Sequence, residues 1–146
     1  MTAFTYQNGV LHADAVPLPE IARNVGTPVY VYSAKRIRAN FQSLRKVLPG
    51  VTICFAVKAN SNVAVLAVLA KEGAGADIVS GGELRRALKA GIPASRIVFS
   101  GVGKTDEEIR EALTADIHQL NVESIQEILQ IERVAASLNK TAHIVF

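Results

Sequence analysis

The chain has 146 residues, 49% hydrophobic and 20% charged, with a net charge of +3. This composition excludes a disordered or collagen-like chain and allows one compact domain with a sizeable core. The basic residues are scattered and do not interleave with aromatics, so nucleic-acid binding has no support. Lys35, Arg36 and Arg38, and the pair Arg85–Arg86, fit solvated helix faces. The single cysteine, Cys54, lies in an apolar run, which rules out an internal disulfide framework and fits buried packing in a reducing compartment. Residues 1–9 lack the basic and apolar regions of a signal peptide, and no apolar run reaches the length of a membrane span. The expectation is a cytoplasmic protein with no membrane association.

In chain order, Asn8-Gly9 between Phe4-Thr5-Tyr6 and Val10-Leu11 predicts a hairpin. Pro17 and Pro19 open a short helical stretch to Asn24. The β-branched and aromatic run Val29-Tyr30-Val31-Tyr32 predicts a strand. Residues 1–32 thus form a short β segment of a second, separate sheet domain. From residue 33 to 146 the pattern is regular. Ser33 caps a helix from Ala34 to Leu48, with Ile37, Phe41, Leu44 and Leu48 on one face. The nearly continuous apolar run 51–57 predicts a strand buried on both faces. Helices then follow over 62–71, 81–90, 105–113 and 123–138, with strands at 76–79, 97–99, 117–120 and 142–146. Asn121 is the expected cap of the last helix, with Glu123 near its positive end.

That order is βαβαβαβαβ, and right-handed crossovers make the five strands parallel. The pattern fits either a closed (β/α)8 TIM barrel or an open doubly wound sheet. A whole barrel needs roughly 250 residues, so this α/β chain would supply about its first half. An apolar strand at the last position would leave an unpaired edge, and the expectation is therefore a piece of a longer protein. A complete open sheet is the other possibility.

Lys58 stands where the 51–57 strand ends, at the edge where parallel α/β folds gather their chemistry. An ammonium leaving an apolar strand loses part of its hydration, which favours the neutral amine that a Schiff base requires. A lysine that merely snorkels out is the plain alternative. Asp77 lies in the next strand, within GAGADIVSGGE, and an acid in a short apolar strand calls for a partner. Adjacent strands bring it to the rim shared with Lys58, either as an inert ion pair or as an acid that stabilises a protonated imine. Ser80 and Glu83 have the spacing of a capping box, with a place for Glu83 at the rim as the other reading.

Three further features are weaker. GVGKT at 101–105 lacks the first glycine of a phosphate loop, because that position is Val98. Lys104 then reads as a rim or surface charge and Thr105 as a helix cap. His12, His118 and His143 lack zinc spacing, so no metal site is supported.

Phe55-Ala56-Val57-Lys58-Ala59-Asn60 together with GAGADIVSGGEL at 73–84 resembles the amino-terminal part of the diaminopimelate decarboxylases. The similarity extends from TPVYVYS at 27–33 through RIVFSGVGKTDEEI at 96–109 to QLNVES at 119–124. This family belongs to the barrel-type pyridoxal-phosphate decarboxylases, with an alanine-racemase-like fold. The resemblance implies pyridoxal 5'-phosphate as cofactor, with Lys58 as its lysine and Asp77 as the acid on the second barrel strand. It places the family's Ser-x-x-Glu element on Ser80 and Glu83. Many relatives carry a histidine where this chain has Ser100. The implied reaction converts meso-2,6-diaminopimelate, a small amino-acid substrate, to L-lysine and carbon dioxide in a homodimeric whole protein. The family's phosphate loop and substrate clamp come from later barrel strands. A related basic amino-acid decarboxylase, a racemase of the same fold, or a non-catalytic remnant that only folds or associates are the other readings.

Overall fold

The computed structural model describes residues 3–146. The chain packs as two compact units, one running to Pro49 and the other spanning Gly50–Phe146.

In the first unit, β1 (Phe4–Gln7), β2 (Val10–Ala13) and β3 (Val16–Pro17) form an antiparallel sheet in sequence order. Asn8 and Gly9 have φ of 50° and 78°, the two positive values that a tight hairpin turn between twisted strands demands. Helix α1 (Leu18–Val25) follows. Residues 29–32, expected as a strand, belong to no ladder among the described residues. Their composition suits a pleated surface, but a strand exists only with a backbone partner, and Tyr30 is 90% exposed. Helix α2 (Ala34–Val47) begins as expected at Ser33. The Ser33 hydroxyl accepts from the Arg36 N–H at 2.9 Å and donates to Asp14 at 2.6 Å, which ties the cap to the turn after β2.

The second unit is a parallel sheet of β4 (Cys54–Ala56), β5 (Gly75–Ile78), β6 (Ile97–Phe99), β7 (Gln119–Asn121) and β8 (Ile144–Val145). Its strands lie side by side in chain order. A doubly wound sheet reverses direction at a switch point, whereas an unbroken order is the arc of a (β/α)8 barrel. Between the strands run α3 (Val63–Lys71), α4 (Gly81–Lys89), α5 (Asp106–Thr114) and α6 (Ile125–Ser137).

The register sorts alternate residues onto two faces. Ile78, Phe99 and Leu120 form one row and pack with Leu66, Leu84, Ile109 and Ile131 of the helices into the core. On the opposite face, Ala56, Asp77, Val98 and Gln119 form a row across four strands, and all four are half-buried.

The strand at 97–99 is found as expected and that at 76–79 shifts by one residue, whereas the first, fourth and fifth expected strands are longer than those found. The run 51–57 contributes only Cys54–Ala56, because Val57–Ala59 closes into a single 3-10 turn and Val51 is exposed. Among the described residues β4 has one neighbouring strand, so its ends lack a second ladder to hold them. Its three residues are half-buried, so it is not buried on both faces. The ladders also place β7 and β8 two residues later than their expected starts.

Candidate active site at the carboxyl ends of the strands

Lys58 lies in the 3-10 turn that follows β4, at the carboxyl end of the sheet. Small residues flank Lys58 in this turn: Ala56 precedes the turn and Ala59 ends it. Asn60 and Asn62 then close the loop, the Asn60 carboxamide accepting from the Asn62 N–H at 3.0 Å and Asn62 capping α3. Lys58 is exposed, so the described residues do not supply the withdrawal from water expected at a strand end. It forms no ion pair among the described residues.

Asp77 is paired with Ala56 in the register of β4 and β5, two residues before Lys58, so both side chains belong to one edge of the sheet. Its partner is not the lysine. The Ser100 hydroxyl donates to Asp77 Oδ1 at 2.5 Å, and Asn121 Nδ2 donates to Ser100 Oγ at 3.0 Å. Gln119 Nε2 in turn donates to Asn121 Oδ1 at 2.8 Å. A polar relay therefore crosses β5, β6 and β7 on the half-buried face. Among the described residues Lys58 and Asp77 form no ion pair, which was one of the two arrangements the sequence left open; a hydroxyl on the neighbouring strand reaches the carboxylate instead. Asn121 is thereby committed to the relay and does not cap α6; that role belongs to Ser124, which accepts from the Glu127 N–H at 3.2 Å.

Ser80 and Glu83 occupy the first turn of α4. Ser80 Oγ accepts from the Glu83 N–H at 3.3 Å, and Glu83 Oε2 accepts from the Val79 N–H at 2.8 Å. The cap is thus in place, with the glutamate reaching one residue beyond the usual box. Cys54 starts β4 on the same face as Asp77. Burial pushes its thiol up from the ordinary value, and the Asp77 charge adds to the effect. A thiol so biased remains protonated at neutral pH and is no nucleophile.

Lys104 is the residue whose place sequence reasoning missed. Expected at a rim or surface, it is buried, and it pairs with buried Glu127 at 2.7 Å. Its ammonium also donates to the Asn121 carbonyl at 2.6 Å and lies 5.4 Å from the centre of the Phe99 ring. Glu127 accepts the Glu123 N–H at 2.8 Å with its other oxygen. A signal existed: Ser124 and Glu127 repeat the Ser/Thr-x-x-Glu spacing of Ser80–Glu83 and Thr105–Glu108. Glu108 behaves similarly, closing a capping box with Thr105 while accepting the Gly81 N–H at 2.9 Å.

Among the described residues no cluster of His, Cys, Asp or Glu could hold a metal ion, and no helix is long and apolar enough to cross a membrane. His118 and His143, expected in the fourth and fifth strands, both lie just ahead of them and are exposed at the opposite end of the sheet.

Residues 34–145 match the family described as pyridoxal-dependent decarboxylase, pyridoxal binding domain. The chain is 52% identical over 147 residues to the diaminopimelate decarboxylase of Zymomonas mobilis, covering 97% of this chain and 35% of that protein. A crystal structure from Aquifex aeolicus superposes with a TM-score of 0.93 at 48% identity, covering 98% of this chain and 36% of that one. The diaminopimelate decarboxylase of Helicobacter pylori complexed with L-lysine superposes with a TM-score of 0.83 at 46% identity, over 87% of this chain and 33% of that one. The chain spans about a third of the length of the curated relatives it matches.

Proposed function

The chain belongs to the pyridoxal-dependent decarboxylases, through their pyridoxal-binding domain, and on that footing we propose that the whole protein decarboxylates an amino acid with pyridoxal 5'-phosphate. The relatives favour meso-2,6-diaminopimelate as substrate, with L-lysine and carbon dioxide as products. The observation that supports the reading most is Lys58: a primary amine without an ion pair among the described residues, at the chemical edge of the sheet, beside the strand that holds Asp77.

The donor set suits the cofactor. An aldehyde needs a primary amine, and the positive charge that develops at that amine needs a carboxylate near it; Lys58 and Asp77 would be those two groups. When bound, the cofactor supplies the electron sink into which the bond to the departing carboxylate breaks. Lys58 would hold it covalently through Nζ. Asp77 holds one oxygen on Ser100 and offers Oδ2 to positive charge. Ser80 and Glu83 set the first turn of α4, whose positive dipole end lies at the same edge of the sheet.

The proposal extends to the assembly, a homodimer in the cytoplasm. It also extends to the division of the chain into 1–32 and 33–146, which the start of the family match at residue 34 supports.

Borohydride reduction of the whole protein with pyridoxal phosphate, followed by peptide mapping, should label Lys58. A Lys58→Ala variant should lose both the label and the visible absorption of the bound cofactor. Carbon dioxide should be released from meso-2,6-diaminopimelate faster than from ornithine or arginine. Label on a different lysine, or none, overturns the assignment.

A further inference from the structure

We propose that Ser100 is a positioning residue: its hydroxyl fixes the Asp77 carboxylate so that Oδ2 is presented to the cationic group bound at Lys58. The inference rests on the role proposed above for Lys58 and Asp77. It deepens that role by naming what aims the acid.

Ser100 is itself held by its backbone. Its N–H donates to the Ile78 carbonyl at 2.8 Å, which continues the ladder of β5 and β6 past the last paired residues. The next residue, Gly101, passes so close to β5 that a Cβ there would lie 2.3 Å from the Val79 carbonyl oxygen. Only glycine allows that approach. The main chain therefore settles where Ser100 stands, and its hydroxyl is left to orient by its hydrogen bonds alone.

Those bonds run in one direction. Gln119 donates to Asn121, Asn121 donates to Ser100, and Ser100 donates to Asp77. A hydroxyl that already accepts one hydrogen bond has its proton aimed at its remaining partner, and linked donors polarise one another. Asn121 is fixed as well, because its carbonyl accepts from the buried Lys104 ammonium. The relay ends on Oδ1 only, and Oδ2 has no protein hydrogen bond among the described residues. An acid held by one oxygen with the second uncommitted is a group kept for a ligand.

The test is a double-mutant cycle in the whole protein, with affinity for pyridoxal phosphate and the pH dependence of its visible absorption as readouts. Ser100→Ala should weaken affinity about tenfold, the effect of losing one charge-assisted hydrogen bond, and should shift the pH midpoint of the absorption. Ser100→Thr, which keeps the hydroxyl, should stay within about twofold of the parent. In an Asp77→Asn background the same Ser100→Ala change should have less than about a twofold effect, because its target is gone. Full additivity of the two changes overturns the inference, as does a Ser100→Ala variant that alters thermal stability alone. An Asp77→Asn variant with parental affinity also overturns it. If borohydride labels Lys58 while Ser100→Ala is silent, only the role of Ser100 falls; if Lys58 is unlabelled, the functional reading falls with it.

Discussion

Lys58 and Lys104 both leave the carboxyl end of the same parallel sheet, one after β4 and the other after β6, and their surroundings are opposite. Lys104 is 4% exposed and satisfied by Glu127 and the Asn121 carbonyl, with the Phe99 ring beneath it. Lys58 is exposed, and the acid on the neighbouring strand is turned to Ser100 instead. A buried cation held between a carboxylate and a carbonyl holds structure together. An exposed amine beside an acid with an uncommitted oxygen keeps its donor capacity for something else. The same contrast separates the two faces of the sheet, where Ile78 and Phe99 are sealed under helices while Asp77 and Val98 stay half-buried.

The largest effect is expected at the closed lysine. Lys104→Met leaves Glu127 buried without its cation, and breaking one side of a buried pair costs about 3–5 kcal/mol. Urea unfolding should show that loss, and Lys104→Met combined with Glu127→Leu should recover much of it, because no uncompensated charge remains. A loss below about 1 kcal/mol for the single variant would mean that Lys104 is as free as Lys58, and the contrast would collapse.

A smaller effect is expected at Glu108, which joins two helix starts through the Gly81 N–H and the Thr105 cap. Glu108→Ala should cost about 1–2 kcal/mol, as the loss of capping partners does. The Gly81 N–H first, and the Thr105 N–H after it, hold the carboxyl below its ordinary value of 4.5. A lowered value in the folded state means that the stabilisation is complete above the unfolded value and is lost as pH falls through the folded one. The stability gap between parent and variant should therefore be constant near neutral pH and narrow as pH drops below 4.5. A gap that widens in acid reverses the sign and refutes the assignment.

Much of the second unit was legible in the sequence because helices announce themselves locally. The three- and four-residue apolar spacings located its helices, and Ser80 and Thr105 cap where their residue types suggest, as Ser33 does in the first unit. The parallel strands were harder to bound. Only three or four residues of each of the first four are paired, and an apolar run such as 51–57 does not say which residues find a neighbour. The run 29–32 shows the limit plainly, since strand composition cannot provide a partner. Lys58 and Asp77 stood out as charges at the end of, or inside, apolar runs. Ser100 and Lys104 did not, because what defines them is a contact 23 residues away in sequence, Asp77 for one and Glu127 for the other. Such contacts depend on register, which a one-dimensional pattern does not record.

The smallest effect is expected at Lys58 itself. Exposed and without an ion pair among the described residues, its side chain contributes little to folding, so Lys58→Ala should change unfolding free energy by less than about 0.5 kcal/mol. The comparison with Lys104→Met is direct: both remove one ammonium from the same end of one sheet, and only the buried one leaves an orphaned carboxylate. In Lys58→Ala, Asp77 keeps Ser100 on Oδ1, so no buried acid is stranded. The prediction joins two measurements that a structural lysine could not satisfy together, namely full loss of covalent cofactor and unchanged stability without cofactor. A Lys58→Ala variant that unfolds more than about 1 kcal/mol more readily would show that the lysine supports the fold, and its chemistry would then need to be sought elsewhere.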